Sequence, residues 1–299
     1  MNMNMKKKTI LTLLTAILLL IAGKANAAEP QLKTMKFGSE ERSYWLYLPD
    51  NLQEGAPLVI MLHGYGGKAE NYRPEMRAVA DREGFALCIP QGEKDTKGKT
   101  GWIVGYPPQK DIKRDDARFI IALKKKLQKE YSLSKKNAFL TGMSNGGEMC
   151  YLMAFLHPDA FSAYAPIAGL TMQWIYKDYR PKKAVPLMEV HGTADRTSFW
   201  EGDPGNTGGW GEYISVPAAV GKWVSEARCT HEVTEELPLL KEDSHKVILH
   251  RYAGCDEAWK GGPEIQVRLY EVVGGKHSWA LGDMDTCSAV WEFFSLYLR

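Results

Sequence analysis

The stretch Thr141-Gly142-Met143-Ser144-Asn145-Gly146-Gly147 constrains this chain more than any other. An apolar run over 138–141 leads into it and a helical pattern to about residue 157 follows, so Gly142–Gly146 reads as G-x-S-x-G between strand and helix. Glycine at both ends permits a tight turn, because a Cβ there would meet neighbouring backbone. Ser144 then stands exposed at a helix N-terminus, whose unpaired N–H groups favour developing negative charge. A nucleophile on such a turn implies a parallel sheet beneath it.

The rest of the chain fits that demand. Short apolar strands are expected at 44–48, 58–62, 85–90, 163–167, 185–190, 247–252 and 267–273. Between them, residues 115–131 read as an amphipathic helix. Ile120, Leu123, Leu127 and Tyr131 recur at spacings of three and four, Lys124–Lys126 face solvent, and Asp115 and Asp116 occupy the first turn. A closing helix at about 288–298 carries Val290, Phe293, Phe294 and Tyr297 on one face. The class is α/β, with a mainly parallel twisted sheet and helices on both faces. The glycine-rich stretch 202–211 is too short for an interdomain linker, and the expectation is one domain over 28–299.

Residues 1–27 read as a cleaved secretory signal peptide. Lys6, Lys7 and Lys8 precede an apolar run over 9–23, and Ala25-Asn26-Ala27 offers an A-x-A cleavage site. That run is shorter than the roughly 20 residues needed to span a bilayer as a helix. The chain has 38 basic and 36 acidic residues, formally +2. Cleavage removes four lysines and no acid, leaving 34 against 36 and a charge of −2. Nucleic acid is therefore not an expected partner, and neither is a membrane anchor in the mature form. The expected location is periplasmic or extracellular.

A serine hydroxyl is a weak nucleophile and needs a base oriented by a third group. In a strand–turn–helix fold the partners follow in the order serine, acid, histidine, each after a strand. His191-Gly192-Thr193-Ala194-Asp195 follows the 185–190 strand and nominates Asp195. Gly274-Gly275-Lys276-His277-Ser278-Trp279 follows the last strand and nominates His277. His231 and His245 lie in polar segments, His250 interrupts a strand, and Asp203 and Asp256 have no strand end just before them. His191 reads as a residue that holds its loop in shape. For the oxyanion, the backbone N–H of Asn145 is the expected first donor. That of Tyr65, in His63-Gly64-Tyr65-Gly66-Gly67, is the expected second. No metal-ligand spacing is present, and no metal or cofactor is expected.

HGYGG, the Asp115-Asp116 helix start, TGMSNGG, HGTAD and GGKHSW together resemble the motifs of a group of secreted esterases. That group takes in feruloyl esterases, acetylxylan esterases and polyhydroxybutyrate depolymerases. The resemblance runs from about Tyr44 to the C-terminus and implies an α/β-hydrolase fold and ester hydrolysis through an acyl-enzyme. It places Ser144, Asp195 and His277 as the triad and Tyr65 and Asn145 at the oxyanion hole, and it suggests that Cys229 and Cys255 pair. Lys276 departs from the glycine common before the histidine, and Ala280 from the proline common after Trp279. Cys88 and Cys150 read as buried small hydrophobes, while nothing places Cys287.

Trp279 and Trp210 are candidate substrate contacts, since an indole offers apolar area and one donor to a sugar or cinnamoyl ring. The expected activity is that of an exported serine carboxylesterase acting on feruloyl or acetyl esters of plant polysaccharides. A polyhydroxybutyrate depolymerase-like or general short-chain esterase is the alternative, and a non-catalytic carbohydrate-binding protein a more distant one.

Overall fold

The computed structural model describes residues 29–71, 73–256, 258 and 262–299. The expected signal peptide, 1–27, lies outside the described residues. Ten strands form one sheet. In chain order they are β1 (Gln31–Phe37), β2 (Glu40–Tyr47), β3 (Leu58–Leu62), β4 (Ala86–Pro90), β7 (Ala138–Met143), β8 (Ala163–Ile167), β9 (Leu187–Gly192), β10 (His231–Glu236), β11 (Val247–Ala253) and β12 (Val267–Val272). A separate two-stranded ribbon joins β5 (Glu93–Lys94) to β6 (Thr100–Gly101). The spatial order is β1-β2-β4-β3-β7-β8-β9-β12-β11-β10. From β4 to β12 every neighbouring pair is parallel, while β1, β2, β11 and β10 pair antiparallel at the two flanks.

The central strands are apolar because helices cover both faces, leaving neither side for polar residues. All five residues of β3 and of β8 are buried. The main helices are α1 (Pro74–Glu83), α2 (Asp116–Glu130), α3 (Asn145–Leu156), α4 (Gln173–Asp178), α5 (Val216–Ala227) and α6 (Thr286–Ser295). Their starts follow local chemistry. Asp115 caps α2 by accepting from Arg118 N at 2.9 Å, Asp285 accepts from Ser288 N at 3.1 Å, and Pro74 sits where a missing N–H costs nothing.

The two acids at the start of α2 divide their labour. Asp115 is the cap, whereas Asp116 is buried and accepts from Arg42 Nη2 at 3.0 Å, Arg114 Nε at 3.1 Å and Ile103 N at 2.9 Å. Arg42 is fully buried on β2, with its guanidinium 3.8 Å from the centroid of the Phe119 ring. Its Nε is 3.3 Å from the Glu93 carboxylate, without hydrogen-bond geometry.

Parallel strands bring their carboxyl ends to one edge of the sheet, where ligands of open α/β folds bind. The loops after β3, β7, β9 and β12 carry Tyr65, Ser144, Asp195 and His277 to that edge.

Candidate active site

Ser144 occupies the turn between β7 and α3 with φ 57° and ψ −123°, a left-handed conformation that costs a non-glycine residue about 1–3 kcal/mol. Surrounding packing holds it there. Its N–H donates to Ile167 O at 2.8 Å, and its carbonyl accepts from Glu148 N at 2.9 Å. A Cβ built on Gly146 would lie 2.4 Å from Leu62 O and 2.9 Å from His63 O. The glycine therefore lets the start of α3 lie directly on the end of β3.

His277 follows β12, and its Nδ1 is 2.7 Å from Asp195 Oδ2. A carboxylate only accepts, so Nδ1 donates to it, and in the neutral ring Nε2 is the acceptor. The other oxygen of Asp195 accepts from Thr197 N at 2.7 Å and Ser198 N at 2.8 Å. Burial disfavours the Asp195 charge, but His277 and these two amides outweigh it and hold the carboxyl below the usual aspartate range. Ser144 and His277 line one cavity of about 200 Å³ with Tyr65, Tyr106, Leu170 and Trp210.

Behind Asp195 lies a buried pair that motif reading missed. His191 Nδ1 is 2.8 Å from Glu189 Oε1, its Nε2 donates to Ser198 O at 2.8 Å, and the same Nε2 is 3.5 Å from Asp195 Oδ2. Burial opposes a charge on His191, yet Glu189 and Ser198 raise its pKa above the ordinary value. Burial pushes Glu189 up to about 6, with His191 pulling the other way. His191 does hold the Asp195 loop, as expected. The missed signal was Glu189 itself, a charged residue inside an otherwise apolar strand, where it needs a buried partner.

Of the two expected oxyanion donors, Asn145 follows Ser144 in the chain and Tyr65 lines the same cavity. Asn145 opens α3, where a backbone N–H has no partner within the helix. Its side chain is occupied elsewhere: Oδ1 accepts from Trp102 N at 2.7 Å and Nδ2 donates to Trp102 O at 3.1 Å. The loop after β3 runs close against the serine, since a Cβ on Gly64 would be 3.3 Å from Ser144 Cβ. Tyr65 is steadied by a hydrogen bond from its hydroxyl to Asp95. His63 Nε2 accepts from Gly92 N at 2.9 Å, which leaves Nδ1 to donate to Gly64 O at 2.7 Å.

The two tryptophan candidates separate. Trp210, from the glycine-rich stretch, lines the Ser144 cavity with its ring 5.4 Å from that of Tyr65 and 5.2 Å from that of Tyr106. Asp203 shapes that stretch by accepting from Thr207 N and Gly208 N at 2.8 and 2.7 Å. Trp279 is only 5% exposed and lines a different cavity, of about 150 Å³, with His63, Asn71, Arg73 and Ile89. The structure does not bring it to the Ser144–His277 cavity. Two of the other histidines have carboxylate partners: His250 contacts Glu232 and Glu271 at 2.9 Å each, and His245 contacts Asp283 at 2.9 Å. Cys229 and Cys255 form a disulfide, while Cys88, Cys150 and Cys287 are buried free thiols.

Residues 42–177 match the protein family described as Esterase PHB depolymerase. The match covers somewhat less than half of the chain and includes Tyr65, Ser144 and Asn145. The chain is 24% identical over 258 residues to the bifunctional acetylxylan esterase/xylanase XynS20E of Neocallimastix patriciarum, spanning 85% of this chain and 33% of that protein. It is 27% identical over 190 residues to the acetylxylan esterase of Coprinopsis cinerea, spanning 60% of this chain and 50% of that one. The chain thus spans a third to a half of these curated relatives' lengths. Other relatives are named as feruloyl esterase B and poly(3-hydroxyalkanoate) depolymerase C. The acetyl xylan esterase of Aspergillus awamori superposes with a TM-score of 0.60 at 15% identity, over 89% of this chain and 99% of that one. The chain therefore has the α/β-hydrolase fold. Among the described residues no helix is long and apolar enough to cross a membrane.

Proposed function

We propose that this protein hydrolyses carboxylic esters through an acyl-enzyme on Ser144. One observation carries the reading: His277, with Nδ1 2.7 Å from Asp195, lines the same cavity as Ser144. His277 Nε2 takes the serine proton as Oγ attacks the ester carbonyl, and Asp195 stabilises the imidazolium that forms. The backbone N–H groups of Asn145 and Tyr65 receive the oxyanion, each contributing about 3 kcal/mol to lowering the barrier. His277 then protonates the departing alcohol. Water, activated by the same imidazole, releases the acid and restores Ser144.

The substrates are ester decorations of plant polysaccharides, feruloyl or acetyl groups on xylan, a reading supported by the relatives named as acetylxylan and feruloyl esterases. A polyester or short-chain ester is the second reading, supported by the family description itself. Residues 28–299 act as one hydrolase domain, exported by means of residues 1–27. The test is a panel of methyl ferulate, acetylated xylan and a hydroxybutyrate oligomer, run on the purified protein and on Ser144→Ala. Turnover falling by at least about 10³-fold in the variant is the expected result. Undiminished hydrolysis by Ser144→Ala overturns the mechanism, and turnover of the oligomer alone replaces the first substrate reading with the second.

A further inference from the structure

That mechanism leaves one group in the cavity without a task. Glu148 lies in the first turn of α3, four residues after Ser144. It lines the cavity with Ser144 and His277, yet it is only 1% exposed. Neither of its carboxyl oxygens has a hydrogen-bond partner among the described residues. A buried polar group in that state is costly, and few native groups are left so.

The surroundings define what the carboxyl can do. Burial pushes its pKa up to about 8, and the charge of Glu189 adds to the rise. The nearby Tyr106 hydroxyl and Asn145 amide favour the ionised form, although neither reaches hydrogen-bond geometry with it. At neutral pH the group is therefore a carboxylic acid, with one donor and free acceptor capacity. Around it stand the rings of Tyr65, Tyr106 and Trp210 and the side chain of Leu170. Thr197 and Ser198 complete the lining beside Ser144 and His277, and an aromatic wall with a few convergent polar groups is the composition of a selective pocket.

An acyl chain without polar atoms would leave that acid desolvated and unpaired. A hydroxyl both accepts from the acid and donates to it. Sites built to hydrogen-bond a substrate hydroxyl reject the analogue lacking it far more strongly than apolar pockets reject a misfit. We propose that Glu148 is the specificity-determining residue of the acyl pocket, and that the pocket takes an acyl group bearing a hydroxyl, which exchanges hydrogen bonds with the Glu148 carboxyl. The proposal rests on Ser144 acting as the nucleophile. An unsubstituted acetyl group has nothing to offer Glu148. A short aliphatic hydroxyacyl ester and a hydroxycinnamoyl ester both do.

Two matched ester pairs separate these sources: methyl 3-hydroxybutyrate against methyl butyrate, and methyl 4-hydroxycinnamate against methyl cinnamate. One pair is expected to favour its hydroxylated member in kcat/KM by about tenfold or more, and that pair names the source. In Glu148→Met the preference in that pair falls below about threefold, while Glu148→Gln, which keeps donor and acceptor, retains most of it. A wild-type preference below tenfold in both pairs, or a Glu148→Met preference above threefold, overturns the proposal. Covalent labelling of Ser144 by a fluorophosphonate keeps the two failures apart. Labelled, active protein with no hydroxyl preference sinks this inference alone, whereas unlabelled, inactive protein sinks the nucleophile reading. Should Glu148→Met not fold, binding to the Ser144→Ala protein decides. The hydroxylated product acid is expected to bind about tenfold tighter than its deoxy partner, and equal binding overturns the proposal.

Discussion

Burial raises the pKa of Glu148 to about 8, whereas the same carboxyl in the unfolded chain titrates near 4.5. Below pH 4.5 it is protonated in both states and contributes no pH dependence. Between 4.5 and 8 the unfolded chain releases the proton and the folded one keeps it, so this group makes folding less favourable as pH rises through that window. Glu148→Gln removes the titration while conserving shape. Its stability relative to the parent should climb from pH 4.5 to pH 8 and level off above, as read by thermal unfolding across that range. A constant difference between the two proteins would mean that Glu148 finds a partner for its charge. Asp195, also buried, titrates in the opposite direction because His277, Thr197 and Ser198 all donate to it. The contrast separates a carboxyl held as an anion from one left as an acid.

Elements place these residues through a few rigid contacts. Gly146→Ala would drive a methyl group to 2.4 Å from Leu62 O, which is backbone and cannot swing aside. We expect destabilisation by about 3 kcal/mol in urea unfolding, together with loss of ester hydrolysis even in the folded fraction. Asp116→Asn tests a second contact, because it leaves the buried Arg42 guanidinium without its main charge partner and weakens the tie to Ile103 beside Trp102. That change should cost about 3 kcal/mol, measured the same way. Which elements could be read in advance follows from their surroundings. The strands at 58–62 and 163–167 match β3 and β8 to the residue, because burial on both faces writes an unbroken apolar run. All six residues of β10 are exposed, and it exists through backbone pairing with β11, which leaves no hydrophobic signature. The flank strand β1 and the short α1 went unread for a similar reason, since each buries little. Ser144, Asp195 and His277 were legible because loop chemistry after a strand has a local signature. Glu148 and Glu189 had only the weaker signal of a lone charge in an apolar stretch. Trp279 was misplaced because adjacency to His277 in sequence does not make two side chains face one cavity.

At the scale of the whole molecule, the β10 flank is the part least supported by packing. Its exposed Glu232, Glu235 and Glu236 protect an open edge from pairing with other chains but contribute no core. The Cys229–Cys255 disulfide compensates by joining the end of α5 to the loop after β11, at one end of the β10–β11 pair. Helix α5 packs against β9 and β12, the strands that lead to Asp195 and His277. Closing a loop of 27 residues restricts the unfolded chain by about 3.5 kcal/mol on the chain-entropy account. Replacing both cysteines with serine should therefore lower the urea-unfolding free energy by about 3 kcal/mol. Hydrolysis at 25 °C should stay near the parent value, because neither cysteine touches the Ser144 cavity. Reductant on the parent protein should reproduce this loss and add nothing in the double variant. The three other thiols are buried, with Cys88 and Cys150 pushed well above the ordinary thiol range and Cys287 up to about 12. Any difference that reductant makes is thus attributable to this one bond. Activity lost together with stability would show instead that the flank, through α5, holds the Asp195 and His277 loops in place.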